Sequence, residues 1–410
     1  MSPRLPQPQV SRRSSPPVPP VLSLLLALCL LPASALAVWR LGPSSPGLLE
    51  PSAAEGPGAS LAEAARVAEE QAGAAYGAGR FEEAWRAQQR SVALHRQLVG
   101  QDSSQRPKLA ASLHNLAVVL IRLGRKGEAV APTEEALALY RSLAFANGRE
   151  ASAAMERPLR NLVLLYLEGN RPQEALPLAD ELVRLHQVLP SQDPALQAEQ
   201  VDVLNLRASL LVALNRPREA LRDLEAAVAQ GRELVRLDPQ NPALQYSLAG
   251  SLVNVSQVAD LLGARAQALQ PAQEAEALLR QVARRQPQLI GDWAKALSRL
   301  GQAHARLREP VQARAPLEES IDLLRLLARS GPAETLTVEL GGYRDDLAQA
   351  LESLAVVHQQ LQHPEEARAA ALEAMEIYRA LATVDPRYGK DVERTRAWLG
   401  SLPQGTLMRP

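Results

Sequence analysis

The sequence predicts an all-α fold: an α-α superhelix, a solenoid of about seven helical hairpins closed by a C-terminal capping helix. Three observations predict it. A short signature recurs at nearly constant spacing, which marks a repeat array. Ala and Leu dominate while aromatic residues are only 3% of the chain, a composition suited to helices packed through small side chains. Within each unit, apolar residues fall at helical intervals.

The signature ends on an alanine: Ala84, Ala129, Ala175, Ala220, Ala268, Ala313 and Ala367, separated by 45, 46, 45, 48, 45 and 54 residues. Five positions before these alanines stand Gly79, Gly124, Asn170, Asn215, Gly263, Arg308 and Gln362, and immediately before them always Glu or Gln.

Taken in chain order, residues 1–37 come first. Arg4, Arg12 and Arg13 precede an apolar run, Val21–Leu31, and then Ala35-Leu36-Ala37. These are the parts of a secretory signal cleaved before Val38. The competing reading is an uncleaved anchor over residues 21–38, short for a membrane span and weakened by Pro32 and Ser34. Both readings export the repeats, to periplasm, cell envelope or medium, and the second ties them to a membrane by one N-terminal helix. The single cysteine, Cys29, lies in this leader, so no intramolecular disulfide is expected. Residues 38–60 read as a flexible linker rich in Gly, Pro and Ser.

Residues 61–388 carry the repeats. In the second, Leu113, Leu116, Ala117 and Leu120 form one helical stripe, and Leu123-Gly124-Arg125 breaks it. A second stripe runs through Ala129, Val130, Ala136, Leu137, Tyr140 and Leu143. Two helices joined by so short a turn make an antiparallel hairpin. The alanine falls where the pair would approach most closely. Pro172, Pro217, Pro310 and Pro364 stand three before their alanines, in the first helical turn where proline costs no hydrogen bond. Pro132, Pro177, Pro271 and Pro316 fall inside the second helix, where each is expected either to bend it or to delay its start. The extra residues of the last interval fall in Ser330–Asp346, with Gly331-Pro332 and Gly341-Gly342 as breakers, so a loop or a short extra helix is expected there. Residues 389–403 supply the capping helix, with Val392, Trp398, Leu399 and Leu402 inward and Asp391, Glu393, Arg394 and Arg396 outward.

The stretch SLHNLAVVLIRLGRKGEAVAPTEEALALYRSLA, residues 112–144, resembles a tetratricopeptide repeat, and comparable segments cover about residues 61–388. The units are about eleven residues longer than the usual 34, similar to the long-helix repeats of kinesin light chain and of bacterial arrays. The excess reads as a longer second helix, Glu128 to Ala146 in the second repeat, roughly 28 Å at 1.5 Å per residue. Tryptophan and paired tyrosines of the family's first helix are mostly replaced by Leu, Ala and Val.

The resemblance implies a protein or peptide partner held on the concave side, at a position fourteen before each alanine. Here that position reads Glu70, Asn115, Asn161, Leu206, Asn254, Arg299 and Ser353, with Asn205 one place away in the fourth repeat. Asparagine is a mediocre helix former, so three in register argue for a role: gripping a ligand, or satisfying polar groups within the stack. The expected groove residues are His114, Asn115, Arg160, Asn161, Asn254 and Arg299. With Arg157 and Lys295 nearby, the groove would suit an acidic segment or a terminal carboxylate, unless these cations are simply solvated.

Other functions find no support. The 45 basic residues balance 45 acidic ones, so no net field draws the chain to nucleic acid. No phosphate loop, nucleophile elbow, kinase signature or metal-binding spacing appears, His358 and His363 included. No enzyme activity, cofactor or metal is expected. The expected role is a non-catalytic interaction scaffold. The alternative is a structural spacer that self-assembles through its ends or convex faces.

Overall fold

The computed structural model describes residues 57–402 apart from 148, 189–193 and 330–337. The leader, most of the linker and residue 403 lie outside the described residues, as does the start of the expected insertion. No helix among the described residues is long and apolar enough to cross a membrane.

The described chain is helical throughout. The first hairpin is α1 (Pro57–Gly77) and α2 (Phe81–Gln101), and the second is α3 (Arg106–Arg122) and α4 (Lys126–Asn147). In the third, α5 (Arg149–Ala154) and α6 (Glu156–Glu168) share the place of one first helix before α7 (Pro172–Val188). Then come α8 (Pro194–Ala213) with α9 (Pro217–Leu237), and α10 (Pro242–Leu261) with α11 (Arg265–Arg285). The last two pairs are α12 (Ile290–Arg306) with α13 (Pro310–Arg329), and α14 (Val338–Gln360) with α15 (Pro364–Ala382); α16 (Gly389–Ser401) caps them. Each helix packs on the next in sequence, so the array is a solenoid of local contacts.

The seven turn residues explain the hairpins. Gly79, Gly124, Asn170, Asn215, Gly263, Arg308 and Gln362 all have positive φ, from 56° to 76°. At each, the turn N–H donates to the carbonyl three residues back, and the next N–H donates to the carbonyl five residues before it. Gly124 N–H to Ile121 O at 3.0 Å and Arg125 N–H to Leu120 O at 2.9 Å are one example. Two carbonyls that a helix end leaves bare are thereby satisfied, and the chain reverses. The acidic residue before the alanine closes the turn from outside. Arg125 donates to Glu128 and Arg216 to Glu219, each at 2.6 Å, and Arg171 pairs with Glu174. In the fifth and sixth turns, where Gln267 and Gln312 replace the acid, Ala264 and Glu309 replace the arginine.

All seven repeat alanines are 0% exposed. Twelve positions before them a second small series faces them, including Ala72, Ala117, Ala208 and Gly301. A Cβ on Gly301 would lie 3.0 Å from the Ala313 carbonyl and 2.5 Å from the Leu317 side chain. Backbones approach there more closely than a larger side chain would allow.

Several expectations are corrected. Helices α4, α7, α11 and α13 begin before Pro132, Pro177, Pro271 and Pro316 and continue past them, so these prolines do not delay the helix. Gly341 and Gly342 do not break the chain: both lie in α14, which uses residues 338–346 to lengthen a first helix. Each glycine costs about 1 kcal/mol in a helix, and burial of Leu347, Ala348, Ala350 and Leu351 further along opposes that loss. The array also starts earlier than expected, at Pro57. Val392 and Leu399 on α16 and Leu402 just after it are buried, but Asp391 is buried too, paired with Arg394.

The first helices of the fourth to seventh hairpins also pack side by side, whereas second helices do not approach one another closely. That difference in spacing curves the array with first helices inside. Long side chains bridge the wider outer gaps: Arg96 to Glu135 at 2.6 Å, Arg141 to Glu181 and Arg232 to Glu274 at 2.5 Å, and Arg325 to Glu373 at 2.7 Å. Each pair links position twelve after one alanine to position six after the next. Between the third and fourth hairpins these positions hold Gln187 and Ala226, so both partners are lost together.

Two outcomes check this account. Ala220→Arg should destabilise by about 1–3 kcal/mol through overpacking alone, and an unchanged thermal midpoint would show that Ala220 is not confined. Arg308→Gly and Gln362→Gly, which relieve a side chain in the left-handed region, should each stabilise by up to about 1 kcal/mol. Loss of midpoint temperature in both would contradict the turn geometry.

Candidate partner-binding groove

Successive helix residues are 100° apart, so the position fourteen before each alanine points about 200° from the contact series twelve before it. It therefore faces away from its own second helix, toward the inner wall. The six expected residues fall in two separate groups, with His114 and Arg160 one position from this register.

The first group lies on α3 and α6. Asn115 is half-buried, whereas Asn161 is 0% exposed and neither atom of its carboxamide has a hydrogen-bond partner. His114 is 4% exposed with both ring nitrogens unpartnered. Burial, with the Arg157 charge adding to it, pushes its pKa down to about 4, so the ring is neutral at pH 7. Arg160 is buried and donates through Nε to Glu156 at 3.0 Å. Arg157 is exposed and makes no ion pair with a described residue.

The second group is engaged in the stack. Asn254 donates to Asn205 at 3.2 Å, and Asn205 donates to Ser251 at 2.7 Å and to the Val201 carbonyl at 3.0 Å. These bonds tie the fifth first helix to the fourth through the Asn254 amide nitrogen, while the Asn254 Oδ1 is buried with no hydrogen-bond partner. Arg299 lies 3.5 Å from Asp260, which also pairs with Arg306 at 3.2 Å. Burial brings Arg299 down to about 10, still protonated at neutral pH.

Apart from Lys295, the other polar residues that link first helices were not singled out in the sequence. Glu69 accepts from Ser112 at 2.8 Å and lies 2.9 Å from His95, while Ser91 and Ser112 are 3.0 Å apart, which joins the first hairpin to the second. Tyr246 donates to Asp292 at 3.0 Å, Ser247 donates to Asp202 at 2.9 Å, and Lys295 sits 3.2 Å from Asp346. Glu69 and Asn205 stand fifteen before their alanines, as do His114, Arg160 and Glu352. That polar column, one place from the inspected one, was the signal that would have found Glu69. Among the described residues, no group of three His, Cys, Asp or Glu is placed to hold a metal ion.

Burial also raises the carboxyl groups of Glu199, Asp292 and Asp346, and takes Asp345 to about 6. A carboxyl raised on folding holds its proton more tightly in the folded chain. Its contribution is therefore favourable at low pH and is lost as pH rises from the unfolded value, near 4, through about 6. Asp345→Asn should accordingly raise the thermal midpoint at pH 7.5 by a few degrees and flatten its decline between pH 4 and 6. Identical pH profiles for variant and parent would show that Asp345 is fully solvated.

Comparison with known proteins bears on the fold. Two tetratricopeptide repeat models match, over residues 63–142 and 347–382. No curated protein matches the chain. Among solved structures, the apo form of RapI superposes with a TM-score of 0.51 at 11% identity, covering 75% of this chain and 98% of that one. BtubC from P. vanneervenii gives 0.46 at 18% identity, covering 62% and 90%. A kinesin light chain repeat protein from Podosopora anserina gives 0.40 at 17%, covering 56% and 96%. At such identities the RapI likeness speaks for the fold alone. With the repeat models matched at both ends of an all-α solenoid, the chain is a tetratricopeptide repeat protein.

Proposed function

We propose that the chain is a non-catalytic scaffold that binds a protein or peptide segment along its first helices. The observation that carries this reading is the pair His114 and Asn161, both more than nine-tenths buried, with neither the ring nitrogens nor the carboxamide bonded. Leaving a buried polar group unbonded costs about 1–3 kcal/mol, and native proteins rarely tolerate it without reason. Both groups carry a donor and an acceptor, which suits the alternating N–H and C=O of a peptide main chain. Hydrogen bonds join neighbouring first helices at the first and second hairpins and from the fourth onward. The pair lies in the interval between. A ligand reaches them by parting the helices there, so association should be slower than simple docking.

The leader supports an exported or membrane-anchored setting for this scaffold. The second reading, a self-assembling spacer, is disfavoured by the ends of the array. On α1, Arg66 bridges Glu63 and Glu70, and on α16 Arg396 pairs with Glu393, so both terminal helices carry exposed ion pairs. Extending the outer ladder head to tail would set Arg379, twelve after the last alanine, against Arg90, six after the first.

Asn161→Leu tests the proposal because it replaces an unbonded amide by an apolar group of similar size. The free protein should keep its thermal midpoint or gain a few degrees, while partners captured from native extract by the full chain fall about tenfold. A lower midpoint with undiminished capture would assign Asn161 to the stack.

A further inference from the structure

The groove reading leaves the chemistry of the partner open, and charge along the inner wall narrows it. At the second and third hairpins, Lys108 and Arg157 are exposed and make no ion pair with a described residue. They flank the unbonded, buried His114 and Asn161. From the fourth hairpin to the seventh the same edge carries Glu199, Asp202, Asp292, Asp345 and Asp346 against one cation, Lys295. The positions are register-equivalent: Lys108, Glu199, Asp292 and Asp346 stand twenty-one before their alanines, Arg157, Asp202 and Lys295 eighteen before. So the sign of charge changes along one continuous edge while the whole chain is neutral.

We propose that the groove holds a partner segment with segregated charges, acidic where it crosses the second and third hairpins and basic where it crosses the fourth to seventh. This rests on the groove reading and adds the partner's charge pattern and direction to it. A segment entering reversed would set like charges together along its whole length, which costs more than the correct pairing gains and makes orientation specific. Burial raises the Asp292 and Asp346 carboxyls although Lys295 lies beside them, and a further basic side chain arriving there would draw them back down. First helices about 10 Å apart place the two ends of this edge roughly 50 Å apart, the reach of an extended segment of about 15 residues.

The probes are synthetic peptides of about 16 residues and equal composition, with three Glu in one half and three Lys in the other, in both orders, and a third with the six charges alternating. All-Glu and all-Lys peptides complete the set, and binding to the full chain is read by fluorescence anisotropy at low salt. One segregated order should bind at least tenfold more tightly than the reverse order, the alternating peptide and the single-sign peptides. Arg157→Glu, at an exposed site where folding is verified by circular dichroism, should remove that preference, and Lys108→Glu should weaken it. Equal binding of segregated and alternating peptides, or tightest binding of a single-sign peptide, overturns this inference and leaves the groove reading standing. Binding of none of the five overturns both.

Discussion

Everything in this molecule depends on bringing two helix backbones into contact through hydrogen and methyl groups. An alanine with no exposed surface in every repeat and a facing series of Ala, Ser and Gly, with Val163 in the third repeat, set the spacing within each hairpin. The turn five residues earlier makes the contact possible, because only a residue in the left-handed region delivers the second helix at the right angle. Four of the seven turns use Asn, Arg or Gln there instead of glycine. The two bonds of the turn hold those residues in place against a conformational cost of about 1–2 kcal/mol each.

Curvature follows from side-chain length. On the inner side, the first helices of the fourth and fifth hairpins meet through Asn, Ser and Asp, whose short reach demands close spacing, as in Asn254 to Asn205 and Ser247 to Asp202. On the outer side, second helices meet through Arg and Glu, which span a wider gap. An exposed pair of this kind contributes only about 0–1 kcal/mol, so the ladder sets spacing more than stability. Glycine and alanine inside the hairpins, short polar groups inside the curve and long ionic ones outside it together make a wedge.

The inner wall has two kinds of polar residue. Most are bonded across repeats and belong to the stack. His114 and Asn161 are buried with no polar side-chain atom bonded, and the exposed cations Lys108 and Arg157 stand on the same two first helices. The first helix of the third hairpin is also split at Met155.

The repeat frame was legible from residue types because it rests on local rules: alanine contact, left-handed turn, first-turn proline. Each is decided within about forty residues, so periodicity exposes it. Where local and tertiary effects compete, sequence reading failed. Gly341-Gly342 signals a break, yet packing of the residues that follow keeps α14 helical, and Asp391 reads as outward until Arg394 folds over it. The inner-wall asparagines looked alike in register. Whether each is bonded depends on what the neighbouring repeat places across from it: Asn254 meets Asn205, and Asn161 meets nothing. Sequence by itself determined the hairpin, its period and its sense of packing, since these follow from contacts between near neighbours in the chain. Only the tertiary structure decided which polar groups satisfy one another, because those partners come from helices about 45 residues apart, where spacing in sequence carries no information about distance.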